Sequence, residues 1–114
     1  MSSDCIFCKI IKGDIPTDKL YEDEYVVAFN DINPKSPTHI LVVPKKHIAT
    51  LNDVGPDDMS VIPQIFSAIQ KIATKHGVAE DGYRVIVNTN KASGQEVFHI
   101  HFHIMGGRQL GGMG

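Results

Sequence analysis

Apolar positions recur along this chain in two periods. "YVVAF" (25–29) and "THILVVP" (38–44) are near-continuous apolar runs, β-branched and aromatic in composition. Both read as strands, the second buried on both faces or nearly so. "KLYEDEYVVAFNDI" reads as two strand pieces about an acidic turn, "EDE", and the two prolines of "NPKSP" mark a loop. "SDCIFCKIIKG" reads as a short helix or turn closed by Gly13, with Ile6, Phe7, Ile10 and Ile11 at roughly helical spacing. One long helical pattern runs from Gly55 to Gly77, with Met59, Ile62, Ile65, Phe66, Ile69, Ile72 and Ala73 recurring at steps of three and four. Pro56, Asp57 and Asp58 suit a helix start, where carboxylates meet the positive end of the dipole. Pro63 must then kink the helix or mark where it truly begins. "YRVIVNT" is a further strand, "NKASGQE" a glycine-containing loop and "VFHIHFHIM" (97–105) the last strand; the tail "GGRQLGGMG" is glycine-rich and expected to be loose. Several strands, one long helix and one short one predict an α+β domain, with the helices on one face of a mostly antiparallel sheet.

At 114 residues the chain is expected to be one domain, 1–114, without repeats or domain-separating linkers. A net charge of −2 gives no reason to expect a nucleic-acid footprint, so any phosphate recognition must be local. No apolar run reaches the length of a membrane span, and "MSSDCIFCKI" lacks the basic-then-apolar pattern of a signal peptide. Both cysteines sit in one C-x-x-C, which is no secreted disulfide framework; a reducing cytoplasm is expected.

The last strand holds three of the chain's six histidines in five residues. Side chains alternate along a strand, so His99, His101 and His103 share a face at intervals of about 6.5–7 Å, joined by Val97 if the strand extends that far. Phe98, Ile100, Phe102 and Ile104 take the opposite face, expected to pack on the long helix. The histidine face then meets solvent, a ligand or a metal. Three readings follow: a solvated polar face, a three-histidine metal site, or nucleophilic chemistry on phosphorus. In the last, one imidazole attacks and its neighbours stabilise charge on the phosphate oxygens.

"HIHFHIM" resembles the alternating signature of the histidine triad (HIT) superfamily. "CIFCKIIKGDIPTDKLYEDEYVVAFNDINPKSPTHILVVPKKHI" and "DGYRVIVNTNKASGQEVFHIHFHIMGGRQLG" resemble the two halves of its nucleotide-binding Hint branch. The resemblance implies a HIT-like fold, with a five-stranded mostly antiparallel sheet, one long and one short helix, and a homodimer that joins two sheets into ten strands. It implies hydrolysis of purine nucleoside phosphoramidates, such as adenosine phosphoramidate and aminoacyl- or lysyl-adenylate-type substrates, to a nucleoside monophosphate (AMP or GMP) and an amine. His101 would take the nucleotidyl group, His103 would contact the phosphate, His99 would orient its neighbours and His39 would hydrogen-bond within the triad. Asn88, Gly94 and the N–H groups of Glu96 and Val97 would serve the phosphate. Asp31 would accept from the ribose, and Ile6, Phe7, Ile10, Phe29 and Ile32 would form a slot for the base, although simple core packing explains each of those apolar residues as well. Many relatives carry serine where this chain has Glu96, which puts its leaving-group preference in question.

No cofactor is implied for catalysis. Some relatives hold a structural zinc with the set matching Cys5, Cys8, His47 and His99; free buried thiols and a redox pair remain the alternatives here. Two other functions stay open beside the phosphoramidase: a non-catalytic nucleotide-binding sensor or scaffold, and a dinucleoside polyphosphate hydrolase. "CIFCKI", the "GGR" after the histidines and the short length argue against the latter.

Overall fold

The computed structural model describes residues 4–114. Five strands form one antiparallel sheet: β1 (Tyr21–Glu22), β2 (Val26–Asn30), β3 (Thr38–Pro44), β4 (Tyr83–Ile86) and β5 (Phe102–Gly106), in the order β1-β2-β3-β5-β4. The helices are α1 (Ile6–Lys12) and α2 (Ile62–Lys75). The "EDE" turn is built by Asp23. Its carboxylate accepts the N–H groups of Tyr25 and Val26 at 2.7 and 2.9 Å and the Tyr21 hydroxyl at 2.8 Å. Gly13 ends α1 at φ 86°, a left-handed conformation that favours glycine.

Pro63 marks the true start of α2, in its first turn, where its missing N–H costs nothing. Residues 56–61 form a tighter 3₁₀ turn instead. The three-residue period there turns Met59 outward, and Phe66 is also exposed, its ring edge-to-face with Phe102 at 6.5 Å between ring centres.

The helices do not share one face of the sheet, as expected from the sequence; they cover opposite faces. α2 supplies Ile65, Ala68, Ile69 and Ile72 to a cluster with Val26, Ala28, Ile40, Val42, Phe102 and Ile104. α1 supplies Phe7 and Ile10 to a second cluster with Val27, Phe29, Leu41 and Val43. The reason is the composition of β2 and β3. Their inner residues are buried whichever way they point, so apolar surface must be removed from water on both sides.

The last strand is also shorter than its alternation suggests. It begins at Phe102, not Val97. Extending the register Val42↔Phe102 by two residues would oppose Ile100 to Pro44. Pro44 has no N–H to give a further rung, and the Ile100 N–H goes instead to the Ile48 carbonyl at 2.7 Å. Likewise β4 stops at Ile86, short of the expected Thr89. The tail is tied down rather than loose at two points: Arg84 Nη2 donates to the Gly111 carbonyl (3.0 Å), and Arg108 Nη2 to the Lys35 carbonyl (2.8 Å).

Candidate active site

The register of β3 against β5 opposes Leu41 to His103 and His39 to Met105. Opposed residues of an antiparallel pair point to the same side, so His39 and His103 lie diagonally adjacent on the α1 face. His99 and His101 precede the strand but keep the alternation. The edge of Phe7 meets both rings, at 5.9 Å from His99 and 5.1 Å from His101 between centres. The histidine face is therefore not a solvent face. His99 is 0% exposed and His101 7%, while Phe98 on the opposite side stays exposed.

Hydrogen bonds decide which nitrogen of each ring carries the proton. A carbonyl can only accept, so His101 Nδ1–H donates to the His99 carbonyl at 2.8 Å. This leaves the lone pair on Nε2, which has no protein partner among the described residues. His99 Nε2–H donates to the Pro44 carbonyl at 2.8 Å, so its lone pair is on Nδ1. The Lys35 N–H donates to His39 Nδ1 at 3.0 Å, so neutral His39 carries its proton on Nε2. That proton faces His103 Nδ1 at 2.9 Å and an Asp31 carboxylate oxygen at 3.4 Å. His103 then carries its proton on Nε2, a buried atom with no hydrogen-bond partner among the described residues.

Burial favours the neutral form of all four rings. It pushes His103 down to about 4, helped by the neighbouring His101 and His39, and His99 down to about 4. It lowers His101 as well, and lowers His39 against the opposing pull of Asp31.

His103 and His39 open on a cavity of about 590 Å³ that also includes Asp31, Asn88 and Glu96 in its wall, with Lys35 and Arg84 as its cations. Gly94 sits at φ 95°, and a Cβ there would meet no atom of the described residues within 4 Å beyond its own chain neighbours. Its requirement is thus the left-handed turn; no neighbouring protein group crowds it. Val97 lies in the wall of a second cavity. The five residues expected to receive a base are divided. Phe7, Ile10 and Phe29 are packed together in the α1 cluster, with Phe7 and Phe29 edge-on at 5.5 Å. Ile6 is exposed, and Ile32 is 90% exposed.

Gln95 escaped the reading of the sequence. It is 6% exposed, and its amide bridges three segments. Its oxygen accepts the Asn90 N–H at 2.7 Å, and its nitrogen donates to the Ala49 and Val97 carbonyls at 2.9 and 3.1 Å. Asn90 has φ 67°, the only positive value outside glycine among the described residues. A buried amide next to a glycine turn has no periodicity to betray it.

Cys5, Cys8, His47 and His99 converge, their donor atoms all within 4.8 Å of one another. His99 Nδ1 lies 3.4 Å from Cys5 Sγ, 3.5 Å from Cys8 Sγ and 3.2 Å from His47 Nδ1. Cys8 Sγ lies 3.4 Å from His47 Nδ1. Ligand-to-ligand edges of a tetrahedral zinc shell are roughly 3.3–3.8 Å, shortest between nitrogens and longest between sulfurs, from bond lengths of about 2.3 Å to sulfur and 2.0–2.1 Å to nitrogen. The N–H of Cys8 also donates to Cys5 Sγ (3.4 Å), as suits a thiolate. Burial raises the Cys5 thiol, so without a cation nearby it holds its proton. The set fits a zinc ion.

Comparison with known families matches residues 12–110 to the HIT domain. The chain belongs to the HIT family. Within that family this HIT protein is Hint-like. It is 50% identical to a purine nucleoside phosphoramidase of Escherichia coli K12 over 113 residues, which cover 99% of this chain and 95% of that protein. A histidine triad protein from Clostridium difficile superposes with a TM-score of 0.95 at 48% identity, covering 100% of this chain and 99% of the other. A HIT family hydrolase from Legionella pneumophila gives a TM-score of 0.89 at 50% identity, with 92% and 94% covered. The five-stranded sheet with one long and one short helix is the HIT fold.

Proposed function

We propose that this HIT protein hydrolyses purine nucleoside phosphoramidates to a nucleoside monophosphate and an amine, through a nucleotidyl group carried on His101. Hydrolysis of a P–N bond accords with its half-identity to a purine nucleoside phosphoramidase along nearly its whole length. The observation that carries the mechanism is the proton on His101 Nδ1, fixed by the His99 carbonyl at 2.8 Å. An imidazole held this way offers its Nε2 lone pair to phosphorus. Attack forms the Nε2–P bond and breaks the P–N bond, and the amine leaves with a proton taken up from solvent. The ring becomes cationic, and the same carbonyl continues to accept from Nδ1–H. Water then attacks phosphorus, the Nε2–P bond breaks as the O–P bond forms, the water's proton passes to solvent, and the monophosphate leaves a neutral ring.

His103 Nε2–H is the unpartnered donor for the phosphate side, held in that tautomer by His39. Asn88 and the N–H groups around Gly94, Glu96 and Val97 complete the phosphate contacts. Asp31 accepts from the ribose hydroxyls while it also faces His39. Ile6, Phe7, Ile10, Phe29 and Ile32 line the path of the base.

Cys5, Cys8, His47 and His99 would hold zinc as a structural ion, which fastens α1 and its Phe7 against the triad; no catalytic step needs it. The protein would act in a reducing compartment, the cytoplasm, where both thiols stay available. No helix among the described residues is long and apolar enough to cross a membrane. A homodimer with a ten-stranded sheet would pair β4, an edge strand, with its copy.

The test is His101→Asn. It should abolish nearly all turnover of an adenosine phosphoramidate yet still bind AMP, because the pocket and its donors survive. Rapid acid-free quenching of the wild type should trap a nucleotide at position 101. Near-wild-type turnover by His101→Asn, or an adduct at position 99 or 103, would refute the assignment.

A further inference from the structure

We propose that Arg108 is a positioning residue that fixes which nitrogen of His103 carries the proton, acting through the main chain of Lys35 and the ring of His39. This rests on the reading of the site as a P–N hydrolase. Arg108 does not line the cavity of His39 and His103; it holds the loop behind it. Lys35 lies in that loop, "NPKSP", between β2 and β3. None of residues 32–37 joins a backbone–backbone hydrogen bond among the described residues, so side chains must set the course of the loop. At its start the Asp31 carboxylate accepts the Asn33 N–H at 2.8 Å. At residue 35 both main-chain groups are engaged. The N–H donates to His39 Nδ1 at 3.0 Å, and the carbonyl accepts from Arg108 Nη2 at 2.8 Å.

The "GGR" after the histidines brings the guanidinium to this carbonyl. Gly107 turns at φ 92°, and a Cβ there would lie 2.9 Å from Pro37 Cβ, closer than carbon atoms pack. Glycine therefore lets the chain leaving β5 lie directly against the loop, and the next residue reaches Lys35. Arg108 Nη1 donates to the Gln109 carbonyl at 3.0 Å, so the planar fork ties its own segment to the loop. A bond from a charged donor is stronger than one between neutral groups.

Without the Lys35 N–H at Nδ1, His39 can carry its proton on either nitrogen. With the proton on Nδ1, His39 Nε2 would accept from His103 Nδ1–H across the same 2.9 Å contact. His103 Nε2 would then present a lone pair, not a proton, to the phosphate oxygens, and the donor on that side would be lost. The lock on His101 is the His99 carbonyl, which lies outside this chain of bonds.

The test compares wild type, Arg108→Met and Arg108→Lys, each labelled with nitrogen-15 histidine, by long-range nitrogen–proton correlation spectra of the rings at neutral pH. A ring nitrogen with hydrogen and one without resonate far apart, and exchange between the two forms draws them together. In wild type, His39 and His103 should each show one form, with the proton on Nε2. Arg108→Met should show exchange at both rings while His101 keeps its proton on Nδ1. Its kcat/KM for an adenosine phosphoramidate should fall about three- to tenfold, the scale of one hydrogen bond from a charged donor at an exposed position. Arg108→Lys keeps a cationic donor and should recover most of that loss. Unchanged single forms at His39 and His103 in Arg108→Met would overturn the proposal, whatever its rate. So would equal disturbance of His101, the mark of a merely structural role. A wild type that shows the expected forms yet cleaves no phosphoramidate would overturn the hydrolase reading, while the link from Arg108 to His103 would stand on the spectra.

Discussion

Replacing Gln95 with methionine keeps the length of the side chain and removes three hydrogen bonds at once. The amide links the Asn90 N–H (2.7 Å), the Ala49 carbonyl (2.9 Å) and the Val97 carbonyl (3.1 Å). A neutral hydrogen bond contributes about 0.5–1.5 kcal/mol net, and a buried group left unpaired costs about 1–3 kcal/mol. Asn90 is exposed, so water replaces its partner readily, whereas Ala49 and Val97 are half-buried. The total loss should be roughly 2–3 kcal/mol, or about 10 °C in Tm for a domain of this size. Asn90 adds a second consequence. Its φ of 67° is costly for a residue other than glycine, and Gln95 is one of the groups that hold it there.

Releasing it should loosen the loop that carries Asn88, Gly94, Glu96 and Val97. Thermal melts and phosphoramidase kinetics measure the two effects separately. kcat/KM should fall roughly ten- to a hundredfold, mainly through KM, since positioning groups tolerate little displacement. Gln95→Glu should be worse than Gln95→Met, because a carboxylate oxygen would face the two carbonyls that the amide nitrogen now serves. If Gln95→Met melts within 2 °C of wild type and keeps its KM, the three-way bridge does not order this loop.

Cys8→Ala should lose the roughly one zinc per chain that wild type retains when purified without chelator, and a chelator should then lower the Tm of wild type but not of the variant; elemental analysis finding no zinc in wild type after zinc-replete growth would remove the metal reading alone. Stability should fall as the solution is acidified from pH 6.5 toward about 4. Burial depresses His103 from 6.5 to about 4, so in that window the unfolded chain binds the extra proton; the contribution is complete above the unfolded value and lost as pH falls. His103→Gln should flatten this part of the profile, and an equal slope in wild type and variant would exclude His103 as its source.

Much of the fold is legible because its causes are local. Gly13 after an apolar helical stretch, Asp23 between two β-rich segments and Pro63 at the head of α2 each act within a few residues. The sidedness of the helices was equally written in the chain, in the uninterrupted apolar runs of β2 and β3. Such runs leave no polar face, so each side of the sheet needs cover. The early end of the β5 ladder is a different case. Residues 97–101 have the same alternation as 102–105, and only the partner strand, reaching Pro44, distinguishes them. Gln95 depends likewise on segments distant in sequence.

The row of histidines shows where spacing stops being informative. A two-residue repeat places three imidazoles on one side, and it treats them as equivalent. Their roles are separated by what lies behind each ring: the Pro44 carbonyl behind His99, the His99 carbonyl behind His101, and the His39 ring behind His103. Two of these three are main-chain oxygens, which every residue type supplies. The locks on His99 and His101 therefore leave no mark in residue identity, and depend on the path of the backbone through 44 and 99. His103 differs, since its lock needs an imidazole at position 39 and a backbone N–H at 35. Substitution at His39 should thus disturb the proton on His103 while that on His101 stays in place, so that the two rings of one motif, two residues apart, respond to different parts of the fold.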